Sequence, residues 1–528
     1  MACEITVFGG ANEIGGNQIR IADQGASLWL DFGCPMSRRE RFYDAFGGPR
    51  ATLGVHDLIG LGLAPRVPGL YRPDLIPPGL VFSDLIAPAG SPERTPGANG
   101  AQCLARGEPP LAVLLTHCHF DHAGYISLLD PKIPVYTTVL TALLAKATQD
   151  SATNDIETEV AYAIQREDRQ GLLAAAHYKK SPARLRRWVA FGDESPALDD
   201  FWATIPSARG VEGPSLERLH AGSEASIGPF KVRNYAVDHS VLGASAWAVK
   251  TSAGWIAYTG DLRLHGNHPG DTFAAIEALR DLRPAAIIIE GTHPDEAWPS
   301  TEAAVGANAL SALSVWSGAA IVDYGSRNLE RLSAFEQVAQ RLGRRLAVSP
   351  RDWYLVQAAR LGGAIDLRES DVCLYASYAK VNRPSWERIT IERFAGEQLT
   401  GRSAARRLPE FLLGLGFYDL PELIDLPAAG GVYLRSVSEA WNEEEVVNQE
   451  RLLCWLRQFG LQYLGASPRE GAAFHASGHV DGHGIRHVVE AIDPGCVVPV
   501  HTEKASAVRK LLPGRRVIVP SYGKAIHL

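Results

Sequence analysis

Apolar runs that stop abruptly at histidine or aspartate most constrain how this chain can fold. In "LAVLLTHCHFDHAG", a run typical of a buried strand is followed at once by His117, His119, Asp121 and His122. Residues two apart in an extended segment lie on the same side, so His117 and His119 can point together. Asp121 and His122 then follow in a turn. The pattern predicts a strand with a polar cluster at its carboxyl end.

The residue types of this cluster are those of a metal site. Imidazole and carboxylate together suit Zn, Mn or Fe, and no thiolate is needed. Cys118, between the first two histidines, is expected to point away from them. A single His-x-His pair is more often structural, but four ligand-type groups in this order favour a metal site.

A pair of metals needs further ligands from other strand ends. His239 follows the strand-like run in "YAVDHSVLGAS", Asp261 follows that in "WIAYTGDLRLHG", and His501 follows that in "CVVPVHTEKA". Each residue alone would more often be a hydrogen-bonded loop residue. Together they repeat the arrangement at His117, in which a ligand-type residue follows an apolar strand-like run.

Length and composition indicate a globular protein of more than one domain. A chain of 528 residues exceeds one ordinary core. Hydrophobic residues make up 46%, and no run approaches the roughly 20 apolar residues of a membrane helix. The start "MACEITVFGG" lacks a signal-peptide pattern, and the seven cysteines form no C-x-x-C pair. We therefore expect a cytoplasmic protein without a membrane association.

The charge distribution argues against a general nucleic-acid coat. The net charge is −7, whereas a phosphate-binding surface needs excess Lys and Arg. Two basic clusters stand out, "HYKKSPARLRRW" at 177–188 and "SRRER" at 37–41. For both, a solvated surface is favoured over a phosphate track.

The order of strand-like and helix-like segments predicts an α/β fold with interruptions. Residues 35–110 are rich in Pro and Gly and are expected to have little regular structure, whereas 151–221 is predicted to be mostly helical. From about residue 300, helices and strands alternate as in a parallel βαβ unit. After Gly460 the earlier pattern returns, so the middle is interpreted as an insertion.

The motif H-x-H-x-D-H, followed downstream by His, Asp and His, resembles the signature of the metallo-β-lactamase superfamily. The flanking "FGGANEIGGNQIRI" and "LWLDFG" are similar to the opening of its β-CASP branch, the nucleases typified by ribonuclease J. This resemblance implies an αββα sandwich interrupted by a β-CASP domain. The implied boundaries are 1–292 and 466–528 for the sandwich, with insertions at about 35–110 and 151–221, and 293–465 for the β-CASP domain.

The resemblance also implies two divalent metal ions, Zn or alternatively Mn. One would be held by His117, His119 and His239. The other would be held by Asp121, His122 and His501, with Asp261 bridging. Two cations about 4 Å apart can neutralise a phosphodiester whose charge grows in the transition state.

Three residues mark the version of this site that acts on nucleic acid, and the resemblance places them at Glu290, His479 and His501. His479 would contact the scissile phosphate and protonate the leaving oxygen, while Asp121 would orient the attacking water or take its proton. Glu290 would orient a site histidine, with an exposed strand-end cap as the alternative. Asp31 matches an acidic motif of the family and is expected to support the loop.

Four further residues are candidates for contacting the substrate. Ser326 and Asn328, in "DYGSRNLERL", resemble the β-CASP region that contacts nucleic-acid phosphates, although helix capping is an equal alternative. "LRSVSE" at 434–439 is a similar case. Ser477 and Gly478 directly precede His479 and are the other two candidates.

Other histidines are interpreted as structural. His483 and His487 lie four apart on one face of a predicted helix, where further ligands are lacking, so a helix surface is favoured. His265 and His268 are assigned to a loop. Leu242 stands where many relatives carry proline, which is expected to reshape the loop after His239.

The leading hypothesis is a dinuclear metal-dependent phosphodiesterase that hydrolyses RNA, by exo or endo attack. Its partner would be RNA or another single-stranded nucleic acid, with a homodimer as one possible state. Two alternatives stay open: a small-substrate metallo-hydrolase of the same superfamily, and a catalytically silent nucleic-acid-binding subunit. A second domain over the metals counts against the first alternative, and the intact set of seven ligands counts against the second.

Overall fold

The computed structural model contains strands and helices in mixed order, which confirms the predicted α/β fold class. It describes residues 2–43, 47–79, 109–153, 155–176, 181–193, 196–208, 210–296, 300–377, 380–437, 443–465 and 468–528. In these ranges, no helix combines the length and the apolar character needed to span a bilayer.

The first part of the chain, up to residue 150, supplies five adjacent inner strands of a large sheet. Gln24 and Gly25 both have positive φ, 51° and 81°, which matches the tight turn of a two-residue hairpin between the second and third strands. Single-turn 3-10 helices occur at Ala51–Leu53, Pro73–Leu75 and Gly124–Leu128. The strands and α-helices are β1 (Glu4–Gly9), β2 (Gln18–Asp23), β3 (Ala26–Phe32), α1 (Met36–Arg39), α2 (His56–Gly60), β4 (Val113–Leu114), α3 (Phe120–Ala123), β5 (Val135–Thr138) and α4 (Val139–Asp150).

The regular elements described in residues 151–221 are mostly short strands, so the prediction of a mostly helical segment is wrong. These strands have only two to four residues, too few for a period to distinguish strand from helix. Most of them pair with one another, and the strand at Trp188–Phe191 also pairs with β5, outside this segment. The elements are β6 (Tyr162–Ala163), β7 (Arg166–Arg169), β8 (Leu172–Ala175), β9 (Ala183–Leu185), β10 (Trp188–Phe191), α5 (Pro196–Ala203), β11 (Val211–Glu212) and β12 (Glu217–Leu219), with a 3-10 helix at Ile156–Thr158.

The next segment builds most of a second sheet. An antiparallel meander is followed by a helical crossover to a parallel strand. Its elements are β13 (Glu224–Ile227), β14 (Phe230–Ala236), β15 (Ser245–Thr251), β16 (Gly254–Tyr258), α6 (Pro269–Leu282) and β17 (Ala286–Glu290).

A third sheet follows, and every strand pair in it is parallel, as the alternation of helices and strands predicts. Its order is β21-β20-β19-β22-β18-β23-β24. The elements are α7 (Glu302–Leu313), β18 (Ala320–Tyr324), α8 (Leu329–Arg341), β19 (Arg345–Val348), α9 (Pro350–Leu361), β20 (Val372–Tyr375), α10 (Ser385–Arg393), β21 (Gln398–Leu399), α11 (Gly401–Ala404), β22 (Phe411–Gly414), β23 (Val432–Ser436), α12 (Glu443–Gln458) and β24 (Gln462–Leu464), with 3-10 helices at Leu408–Glu410 and Phe417–Asp425.

The C-terminal segment returns to the first two sheets. It contains α13 (Pro468–Phe474), α14 (Gly482–Ile492), β25 (Val497–Val500), α15 (Ala505–Leu511) and β26 (Ala525–His527). β25 pairs with β17, and β26 pairs with β1. The described strands thus form one sheet of order β12-β10-β5-β4-β3-β2-β1-β26 and another of order β13-β14-β15-β16-β17-β25.

These two sheets pack face to face, with helices on both outer faces. A single buried cluster joins residues such as Ile21 and Leu30 of the first sheet to Trp247 and Ile288 of the second. On the outer face of the second sheet, α6, α14 and α15 bury apolar side chains, and on that of the first, α4 does so. The fold is therefore an α/β sandwich.

The third sheet contacts this sandwich through helices. The Tyr354 hydroxyl on α9 donates to Asp150 Oδ2 at the end of α4 (2.8 Å), and Arg351 Nη2 donates to the Ser151 carbonyl (2.8 Å). The division of the chain into sandwich and inserted domain stays a prediction.

Candidate metal centre

Strand ends bring the predicted ligands to one edge of the sandwich. β16, β17 and β25 are parallel neighbours, so their carboxyl ends open at the same edge. The residues at or just after strand ends are His117 and His119 (β4), His239 (β14), Asp261 (β16), Glu290 (β17) and His501 (β25). The short helix α3 adds Asp121 and His122 from its first turn.

Three histidines form the first cluster of ligand atoms. Nδ1 of His119 lies 3.1 Å from Nε2 of His117 and 3.1 Å from Nε2 of His239. Three nitrogens bound tetrahedrally at about 2.0–2.1 Å from one cation would be about 3.3 Å apart. Burial lowers the pKa of all three imidazoles, that of His119 to about 4, which favours the neutral form that binds metal.

Two carboxylates and two imidazoles form the second cluster. In it, His122 lies next to Asp261, and His501 lies next to Asp121. Nε2 of His122 lies 3.1 Å from Asp261 Oδ2, and Nε2 of His501 lies 3.1 Å from Asp121 Oδ2. Asp261 Oδ2 is also 3.8 Å from His117 Nε2, in the first cluster. Asp261 therefore lies between the two clusters, at the place where the family resemblance implies a bridging ligand.

The outer ring nitrogens of four histidines are occupied by hydrogen bonds, which leaves Nε2 of each facing the cluster. Such anchoring orients a ligand imidazole and sets its tautomer. The Nδ1 atoms contact Thr116 Oγ1 (His117, 3.0 Å), Asp31 Oδ2 (His122, 2.7 Å), the Gly478 carbonyl (His239, 2.6 Å) and Thr292 Oγ1 (His501, 3.0 Å).

Asp31 is a fully buried acceptor beneath the second cluster. Besides His122, it accepts hydrogen bonds from the Thr116 main-chain N–H (2.7 Å) and from the Tyr258 hydroxyl (2.6 Å). Its φ of 53° lies in the left-handed region, as does that of His501, also 53°. Such conformations persist where the surrounding structure over-determines them, often at functional sites. Through these hydrogen bonds Asp31 can support the loop, as expected from the sequence.

His479 and Glu290 form a pair beside the second cluster. His479 Nδ1 lies 2.9 Å from Glu290 Oε2, and Glu290 Oε1 accepts from the Leu262 N–H (2.8 Å). Burial lowers the pKa of His479, but Glu290 and Asp261 outweigh it and raise the pKa to about 9. Glu290 is fully buried, so it is not an exposed strand-end cap.

The chemistry of the donor set fits divalent cations. His122 Nε2 and Asp261 Oδ1 are buried atoms for which the described residues supply no hydrogen-bond partner. Within the described residues, the carboxylates of the site form ion pairs only with histidines. These carboxylates belong to Asp31, Asp121, Asp261 and Glu290. The side chains of Asp121 and His479 are 25% and 22% exposed, so the cluster opens to solvent on their side. These clusters could bind metal ions.

Three of the four predicted substrate contacts, Asn328, Ser477 and Gly478, make internal hydrogen bonds. Asn328 caps α8 by accepting from the Arg331 N–H (3.0 Å), while Ser326 is half-buried in the preceding loop. Ser477 Oγ accepts from the His479 N–H (3.0 Å), and the Gly478 carbonyl accepts from His239. Their contact with a substrate stays a prediction.

The remaining sequence candidates occupy structural positions. His483 and His487 are exposed on α14, and His265 lies in a loop, where its Nε2 contacts the Ser477 carbonyl (3.1 Å). In the two basic clusters, Arg38 pairs with Glu13, Arg39 with Glu157 and Arg187 with Glu217. Residues 177–180 of the basic cluster at 177–188 and residues 438–439 of "LRSVSE" lie outside the described residues.

Sequence reasoning missed two residues that hold the site together. The Thr292 hydroxyl donates to Glu290 Oε2 (2.8 Å) and lies near His501 and His479. Its only signal is its place two residues after Glu290, on the same side of an extended segment. Arg263 is fully buried and donates to Asp238, the residue before His239, and its position two residues after Asp261 gives no sign of this contact.

Comparison with known proteins finds similarity to ribonucleases J. The chain is 24% identical over 328 residues to ribonuclease J of Mycolicibacterium smegmatis. The aligned region covers 60% of this chain and 55% of the relative. It is 25% identical over 295 residues to ribonuclease J of Mycobacterium tuberculosis, covering 54% and 49%. The chain thus spans about half the length of the curated relatives it matches. No protein-family model matches it.

A solved structure shares the fold over the full length. The crystal structure of a protein of unknown function from Enterococcus faecalis aligns with all of both chains, with a TM-score of 0.63 and 19% identity. The α/β sandwich and the third sheet therefore recur together in a second protein.

Proposed function

We propose that this chain is a phosphodiesterase that hydrolyses RNA with two divalent metal ions, Zn or alternatively Mn. One observation carries the proposal: Asp261 Oδ2 lies 3.1 Å from His122 Nε2 in one ligand cluster and 3.8 Å from His117 Nε2 in the other. A carboxylate shared in this way suits a pair of cations. When bound, such a pair supplies positive charge for the transition state of phosphodiester hydrolysis and acidifies the attacking water.

The chain's own residues would hold and aim the reactants. His117, His119 and His239 would hold one cation, and Asp121, His122 and His501 the other. Asp121 is one of the few partly exposed groups of the cluster, which suits it to orient the attacking water.

His479 would protonate the leaving oxygen. Its Nδ1 is held by Glu290, which leaves Nε2 free, and the side chain is partly exposed. A positioned imidazole of this kind contributes about 10²–10⁴-fold to a rate. Glu290 acts through His479 and is a positioning residue.

Two observations support RNA as the substrate class. The chain is similar to ribonucleases J over more than half its length. The third sheet, with Ser326 at the end of β18, adds a surface that a small ester would not need. Attack at an end of the strand and attack within it are both compatible with this arrangement.

The test compares substrates and variants under defined metal content. Purified protein would be incubated with 5′-labelled RNA, matched DNA and an aryl phosphodiester. We expect RNA cleavage that falls by at least about 100-fold in Asp121→Ala. In His479→Ala, RNA cleavage should fall by about 10²–10⁴-fold, but cleavage of the aryl ester should fall much less, because an aryl leaving group needs no protonation.

The matched control is His487→Ala, which removes an exposed imidazole from α14. This variant should keep wild-type rates on all three substrates. Cleavage of the aryl ester without cleavage of RNA would favour a small-substrate hydrolase. RNA binding without cleavage of any substrate would favour a silent binding subunit, and RNA cleavage that survives Asp121→Ala would refute the mechanism.

A further inference from the structure

Arg263 is a fully buried arginine, two residues beyond Asp261, whose guanidinium is surrounded by carboxylates. Its Nε donates to Asp238 Oδ1 (2.8 Å), its Nη1 to Glu302 Oε1 (2.8 Å), and its Nη2 to Glu330. All three carboxylate residues are themselves buried. The planar fork of donors therefore connects three separate chain segments.

Two of the contacts of Arg263 lead directly to the metal centre. Asp238 precedes His239, and Arg263 holds Asp238 twice, because its main-chain N–H also donates to the Asp238 carbonyl (2.8 Å). Nη1 additionally lies 3.3 Å from the carbonyl of Ser477, two residues before His479. Arg263 thus contacts the loop of a proposed ligand and the loop of the proposed general acid.

Its other contacts lead to helices next to the third sheet. Glu302 is the first residue of α7, and Glu330 lies in the first turn of α8. Arg331, also buried, donates through Nε (2.8 Å) and Nη2 (3.0 Å) to the two oxygens of Glu302. α8 begins directly after the loop that carries Ser326. Glu330, which belongs to the hydrogen-bond network of Arg263, therefore lies about one helical turn from a candidate substrate contact.

We propose that Arg263 is a positioning residue that sets His239 and His479 relative to the helices α7 and α8. The proposal rests on the proposed function and deepens it, since it makes the geometry of the metal centre depend on the third sheet's helices. Loss of the guanidinium would remove one hydrogen bond from the Asp238 carboxylate and one from the Ser477 carbonyl together. A lysine could keep the charge, but a single ammonium lacks the fork needed to reach Asp238, Glu302 and Glu330 at once.

The test measures metal affinity and kinetics of Arg263→Lys in the full chain. Zn²⁺ affinity would be measured by competition with a chelating dye, together with kcat and KM on RNA. Groups that orient metal ligands typically contribute about 10–100-fold to metal affinity or activity. We expect a loss of this size in the affinity of one of the two Zn²⁺ ions and in kcat, with KM changed by less than about twofold.

Arg72→Lys is the matched control. Arg72 is equally buried and contacts Asp74 and Glu159, but none of its partners adjoins a residue of the metal centre. It should lose thermal stability and keep wild-type Zn²⁺ affinity and kcat. If Arg263→Lys loses no more Zn²⁺ affinity and kcat than Arg72→Lys, the positioning role is refuted.

Glu330→Gln keeps the test decisive if Arg263→Lys does not fold. This substitution preserves shape and removes one carboxylate from the far side of the network. It should lower kcat and Zn²⁺ affinity in the same direction, and wild-type values for both would overturn the proposal. A wild-type protein that binds Zn²⁺ but cleaves no RNA would refute the proposed function alone, because the comparison of Zn²⁺ affinities still decides the role of Arg263.

Discussion

Replacing Asp31 with asparagine tests how His122 is prepared to bind metal. Asp31 Oδ1 accepts from the Thr116 N–H (2.7 Å), while Oδ2 contacts His122 Nδ1 (2.7 Å) and the Tyr258 hydroxyl (2.6 Å). The backbone at Asp31 is left-handed, with φ of 53°. Asparagine tolerates this region well, so the substitution changes little beyond one oxygen.

The new amide keeps only one acceptor oxygen, and both of its orientations are unfavourable. If the NH₂ group faces His122, it donates to Nδ1 and moves the ring proton to Nε2, the nitrogen that faces Asp261. If it faces Thr116, a buried N–H loses its acceptor. An unsatisfied buried donor costs about 1–3 kcal/mol of folding free energy. Loss of the ligand tautomer should weaken metal binding about 10–100-fold, or about 1.4–2.8 kcal/mol.

The assay combines Zn²⁺ affinity, from competition with a chelating dye, with urea unfolding. The control is Asp23→Asn, since Asp23 is also buried and accepts two hydrogen bonds from Ser252, both at 2.6 Å, but lies in the β2–β3 hairpin. The control should lose stability and keep its Zn²⁺ affinity. Wild-type affinity in Asp31→Asn, or an equal loss in both variants, would refute the reasoning.

Three further predictions follow from the same structure. In Gly33→Ala the new Cβ would lie 1.7 Å from the Asp121 carbonyl oxygen, so bound Zn²⁺, measured by elemental analysis, and the melting temperature should fall together. Burial raises the pKa of Asp323 from 3.8 to about 6, so its contribution to stability is fully present below 3.8 and is lost as pH rises through about 6. Asp323→Asn keeps an acceptor for the Tyr433 hydroxyl and should therefore raise the free energy of unfolding at pH 8 by up to about 3 kcal/mol, with little gain at pH 4, as measured by urea titration at both pH values. A chelator should lower the melting temperature, and added Zn²⁺ should restore it, with a further rise that follows the logarithm of the free Zn²⁺ concentration, because a ligand bound only by the folded state stabilises it; a melting temperature unchanged by chelation would contradict the metal site.

Local sequence was enough to predict where ligand-type residues emerge. Each apolar run sets a strand, and the polar residue that follows it is placed at the strand's end by the chain's own direction. His117, His239, Asp261 and His501 are therefore found at the carboxyl ends of β4, β14, β16 and β25. The parallel third sheet was predictable for a similar reason, since alternating helices and strands leave few other connections.

Only the tertiary structure decided which atoms of distant residues are in contact. The strands of 151–221 are too short to carry their own signal, and one of them, β10, pairs with β5 from an earlier part of the chain. The anchor of His122 lies 91 residues away at Asp31, and that of His479 lies 189 residues away at Glu290. Arg263 could not be assigned from its neighbours in sequence, because its partners at 302 and 330 approach it only when the helices beside the third sheet pack on the sandwich. Hydrogen bonds act over about 3 Å, so a residue's role in such a network depends on the folded arrangement and leaves no trace in local periodicity.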